Sequence, residues 1–116
     1  MKYRIIEPRI ELDDPEKGFE FKFANGHVKL WFTDWRNRHV TIIFDNVCLF
    51  TFRCDDEYHN LPDGAIVEIV DSKKVTSFQE KEIVASGEGL YHFVISTNEF
   101  QWCEVIARSI EVRIDG

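Results

Sequence analysis

Little in this chain breaks or staples a fold: its 116 residues hold three prolines, six glycines, three cysteines and a single methionine. So few glycines and prolines exclude a collagen-like chain, and 44% hydrophobic residues exclude a disordered one. Three cysteines, Cys48, Cys54 and Cys103, cannot all pair within one chain, so a disulfide scaffold is excluded and buried, reduced thiols are expected. Positive charge is also short, at 14 Lys+Arg against 21 Asp+Glu, for a net charge of −7. An excess of acid repels a phosphate backbone, which removes nucleic acid as a partner. No apolar run approaches the ~20 residues a membrane span needs. Glu7, Arg9 and Glu11 interrupt any signal-peptide core, so a cytoplasmic protein is expected.

Catalytic signatures are missing as well. There is no Gly-x-Ser-x-Gly elbow, no glycine-rich phosphate loop and no dinucleotide fingerprint. The four histidines, His27, His39, His59 and His92, show no helical pairing, and Cys-x-x-Cys is absent, so no zinc pattern forms. Neither an enzyme, a metal nor a cofactor is expected.

What is present is a period of two. The length suits one domain over residues 1–116, burying roughly two-thirds of its unfolded surface. Phe19, Phe21 and Phe23 alternate with Glu20 and Lys22, which is the pattern of a half-buried strand. Asn25-Gly26 follows, the pair that best tolerates the two positive φ angles of a type I′ hairpin. With those two as the loop, Phe23 opposes Val28, Phe21 opposes Leu30 and Phe19 opposes Phe32. A further strand over 39–44, reached through the polar loop 34–38, sets Val28 beside Phe44, Leu30 beside Ile42 and Phe32 beside Val40. Independent segments thus agree on one apolar face, and a slip of one residue would turn it to water.

Asp45-Asn46 reads as either a turn or a bulge inside one long strand. A bulge keeps Cys48, Phe50 and Phe52 on the core row, whereas a turn puts Val47 and Leu49 inward. Residues 65–71 read as a strand. Residues 72–88 fit either a strand or a short helix opened by the capping box Ser77-Phe78-Gln79-Glu80. A hairpin over 90–97 and 101–115 closes the chain, with Ile110, Val112 and Ile114 alternating against Glu111, Arg113 and Asp115. The expected fold is all-β: an antiparallel sandwich or partly closed barrel of about seven or eight strands with at most one short helix.

Val40-Thr41-Ile42-Ile43-Phe44-Asp45-Asn46-Val47 and Cys103-Glu104-Val105-Ile106-Ala107-Arg108-Ser109-Ile110-Glu111-Val112 resemble segments of small bacterial β proteins. Some of those are similar to immunity proteins of polymorphic toxin systems. The resemblance implies a β domain that neutralises a protein toxin, and it carries over no functional residue.

The residues that a core explains least are Trp31, on the face opposite the phenylalanines, and Trp35 with Arg36 and Arg38 in the loop beyond. Aromatics with arginine are the residue types of interface hot spots. Asp55, Asp56 and Glu57 form an acidic loop able to steer a basic partner electrostatically. The leading expectation is a protein-binding or homo-oligomeric module using Trp31, Trp35, Arg36, Arg38, Asp55, Asp56 and Glu57. An alternative is a small-molecule-binding sandwich with His92 or Arg108 as a polar anchor. A third is an enzyme dependent on a metal or on Cys103 or Cys48.

Overall fold

A computed structural model describes residues 1–10, 20–34, 36–55, 57–58, 60–62, 64–81, 89–98 and 101–115. Among these, seven strands form one antiparallel sheet: β1 (Tyr3–Ile5), β2 (Glu20–Ala24), β3 (His27–Thr33), β4 (His39–Cys54), β5 (Ile66–Ile69), β6 (Tyr91–Asn98) and β7 (Gln101–Asp115), with one helix, α1 (Lys73–Glu80), after β5. The order across the sheet is β1-β5-β6-β7-β4-β3-β2, so it is open, with β1 and β2 as its edges. No helix among the described residues is long and apolar enough to cross a membrane.

The hairpin arithmetic holds. Asn25 and Gly26 adopt φ of 53° and 77°. The β2–β3 register pairs Phe23 with Val28 and Phe21 with Leu30, and the β3–β4 register pairs Val28 with Phe44, Leu30 with Ile42 and Phe32 with Val40. Phe19, like Asp13, Asp14 and Glu16, lies outside the described residues. Burial is less even than the pattern predicts. Val28, Leu30, Phe32, Val40, Ile42 and Phe44 are buried, but Phe21 and Phe23 remain 49% and 56% exposed. Their strand ends the sheet, and although Phe21 leans on Phe50 at a ring separation of 5.1 Å, the apolar core stops short of them.

β4 runs through Asp45-Asn46 as one long strand, so the bulge and not the turn is found. Asn46 takes φ 53°, and the pairing with β7 slips between Val47 and Leu49. The extra residue is Cys48, which the slip leaves exposed instead of on the core row. Phe50 packs on the core, whereas Phe52 is 43% exposed. β7 changes parity as well, between Ala107 and Ile110: Cys103, Val105 and Ala107 share the core with Ile110, Val112 and Ile114. That core draws on both ends of the sheet, for Phe44 of β4 meets Phe93 of β6, two strands away, at 5.5 Å between ring centroids. The sheet therefore curls over its own apolar face, giving a sandwich from one continuous sheet.

A second layer covers the back of β5, β6 and β7. Tyr58 and Leu61, following β4, pack on Val67, Ile69, Val94 and Trp102. Val75 and Phe78 of α1 pack with Leu49 on Leu90 and Ile106. Strands buried on both faces read as continuous apolar runs, which is why 65–69 and 102–107 lack the alternation of β3. The helix starts at Ser72, whose side chain accepts from the Val75 amide at 3.1 Å, so Ser77 lies inside the helix and does not cap it. The first strand, β1, pairs with β5 and carries no clear sequence signal over its three residues.

Candidate functional site

Between the sheet and its second layer lies a buried polar cluster centred on Glu104. The β6–β7 register sets Glu104 opposite Val94, so His92 stands two residues along on the same face. The β4–β7 register sets Glu104 opposite Thr51, which brings Arg53 to the corresponding position on the other side. The second layer then adds Tyr58 from the loop after β4, and Ser72 and Lys74 from the start of α1.

Glu104 is 1% exposed, and its carboxylate is fully engaged. Its Oε2 accepts from the Tyr58 hydroxyl, from Lys74 Nζ at 2.9 Å and from His92 Nε2 at 2.7 Å. Its Oε1 accepts from Lys74 Nζ at 3.0 Å and lies 3.8 Å from Arg53 Nη1. Burial by itself would raise the carboxyl, but the hydrogen bonds from His92, Tyr58 and Lys74 outweigh it and hold the group at about 2. Burial pushes the Tyr58 phenol in the other direction, and the neighbouring carboxylate adds to that rise. The cluster thus holds a fixed anion and a phenol that keeps its proton.

Ser72 Oγ lies 2.7 Å from His92 Nδ1. A cavity of about 320 Å³ opens beside the cluster, bordered by Tyr58, Ser72, Lys73, Lys74 and His92. Every buried side-chain nitrogen and oxygen among the described residues has a hydrogen-bond partner. No three His, Cys, Asp or Glu residues among them are grouped to hold a metal ion.

The residues singled out from the sequence are dispersed. Trp31 is half-buried on β3, with Lys29 Nζ 5.3 Å above its ring. Arg38 folds back onto the buried Asp34, its Nε donating to Oδ2 at 2.8 Å, while Arg36 is exposed. Trp35, Asp56 and His59 lie outside the described residues. Asp55 and Glu57 are both held by Arg53, at 2.8 and 2.5 Å, so their charge is partly answered within the loop. His27 and Asp45 meet across the sheet at 2.5 Å, as their register predicts. Of the two pocket anchors expected, His92 borders a cavity, whereas Arg108 is exposed on β7. Cys103 is buried, and burial pushes its thiol up to about 12, which makes it a poor nucleophile. Cys48 and Cys54 are exposed, contrary to the expectation of buried thiols.

Glu104 is not among the residues singled out above, although the sequence carries a signal for it: a lone acid inside Trp102-Cys103-Glu104-Val105-Ile106-Ala107 must find partners if that run is buried on both faces. Tyr58, Ser72 and Lys74 carried none, being 46, 32 and 30 positions away in the chain. The fold and the site define an open antiparallel β domain with a buried ionic hub under its helix. No family model, curated protein or solved structure matches the chain.

Proposed function

We propose that this protein is a binding module that docks a partner protein on edge strand β2. The observation that carries the reading is the exposure of Phe21 and Phe23, at 49% and 56%, on a strand with no neighbour on its outer side among the described residues. A free edge offers backbone groups for strand addition, and exposed aromatics supply the anchors. The pair needs such a cover because apolar side chains alternating along an uncapped edge are otherwise an aggregation liability. A net charge of −7 favours a basic partner, as a toxin-neutralising protein, one kind among the small bacterial β proteins that the β4 and β7 segments resemble, would require. A photo-crosslinking amino acid at position 23 is expected to capture the partner in native cytoplasm, and the same label at exposed Arg113 is not. Equal capture from both positions, or none from position 23, defeats the reading.

A second reading is favoured by a separate observation. The cavity beside Tyr58, Ser72, Lys74 and His92 has a volume of about 320 Å³ and several polar groups converging on it, which suits a small molecule.

A further inference from the structure

The directions of the hydrogen bonds in the buried cluster follow from its chemistry. An ionised carboxylate can only accept, so the His92 Nε2 that lies 2.7 Å from Glu104 carries a hydrogen. In the neutral ring Nδ1 is then an acceptor, and the hydroxyl it meets at 2.7 Å, Ser72 Oγ, must donate. Ser72 Oγ in turn accepts from the Val75 amide at 3.1 Å, which fixes its rotamer. The outcome is a directed chain from serine to imidazole to carboxylate, with base and acid buried at 3% and 1% exposure, and with Ser72 and His92 both bordering the cavity. A nucleophile bonded to a base that a third group orients is the geometry of nucleophilic catalysis, recognised by roles and not by sequence order. Lys73 and Lys74 border the same cavity, and their amides belong to the first helical turn, where N–H groups have no acceptor within the helix.

We propose that Ser72 is a nucleophile activated by His92 and Glu104, and that the cavity in front of it takes a short carboxylic ester. In the first step Ser72 Oγ bonds to the acyl carbon while its proton passes to His92 Nδ1. The carbonyl oxygen becomes an oxyanion beside the first-turn amides. The ester C–O bond then breaks, and His92 gives the proton to the leaving alkoxide. Water attacks the acyl-serine with His92 again taking a proton, the acid departs, and the proton returns to Ser72 Oγ. Glu104 steadies the imidazolium throughout.

The inference rests on the cavity reading above, and the experiment separates the two. The intact protein is treated with an alkyl fluorophosphonate and mapped by mass spectrometry, with p-nitrophenyl acetate hydrolysis followed in parallel. An adduct on Ser72 is expected. Ser72→Asn keeps a capping acceptor, so it should fold with an unchanged circular dichroism spectrum yet lose both adduct and hydrolysis. His92→Gln should slow adduct formation by about 100-fold or more. No adduct on Ser72, or one formed at the wild-type rate in His92→Gln, overturns the proposal. Titration with p-nitroacetanilide, an amide that reports binding without facile acyl transfer, distinguishes the failures. Shifted His92 ring signals without an adduct leave the cavity reading standing and remove the nucleophile, whereas neither shift nor adduct removes both.

Discussion

Replacing Glu104 by Gln removes one charge and keeps the shape, so it isolates what the buried anion contributes. In the folded protein the carboxyl titrates at about 2 against an ordinary 4.5, because His92, Tyr58 and Lys74 bond its charged form. That gap corresponds to about 3 kcal/mol favouring the ionised folded state. Since the folded value lies below the unfolded one, the stabilisation is complete above about pH 4.5 and drains away as the pH falls towards 2. A glutamine mimics the protonated acid, so the variant should be about 3 kcal/mol less stable at pH 7, within the range found when one member of a buried pair is removed. Some of that cost is relieved because Lys74, 40% exposed, can turn to water. The assay is urea denaturation at pH 7, 5, 4 and 3, read by tryptophan fluorescence, which reports on Trp102 packed against Tyr58 at 5.7 Å. The midpoint should fall at pH 7 without a change in slope, and the difference from wild type should narrow steadily below pH 4.5. A variant as stable as wild type at pH 7, or a difference that does not change with pH, refutes the account of Glu104 as a charged hub.

Three other outcomes follow from the geometry. Gly26→Ala should cost about 1 kcal/mol in a thermal melt through its φ of 77°, since nothing lies within 4 Å of the added carbon to blame instead. Asp34→Ala should cost about 2 kcal/mol in the same measurement, because the buried carboxylate accepts from the Arg38 amide and Nε, both at 2.8 Å, and closes the β3–β4 loop. Native protein treated with a thiol reagent should react quickly at Cys48 and Cys54, and at Cys103 only once it unfolds; prompt reaction of all three would contradict the burial of Cys103.

The part of the fold built from local and pairwise constraints was legible in the sequence. Asn25-Gly26 tolerates the backbone angles of the hairpin, and the side-chain period of two then allows one register for β2, β3 and β4. The alternation of Ile110, Val112 and Ile114 likewise defined the end of β7. The helix was harder to locate, because Ser72 and Ser77 both offer a cap and only packing of Val75 and Phe78 on Ile106 selects the first.

The small number of helix breakers and disulfides left hydrophobic periodicity in command of the chain, and it determined strand identity, register and inward face. It could not determine what covers that face, since cover comes from residues distant in sequence. Phe21 and Phe23 obey the same pattern as Phe32 and Phe44, yet the curl of the sheet shelters the second pair and leaves the first in water. The same holds for charge. A glutamate in an apolar run had to acquire partners, but tertiary structure alone decided that they are Tyr58, Lys74 and His92, and so that its histidine borders a cavity and meets a serine there.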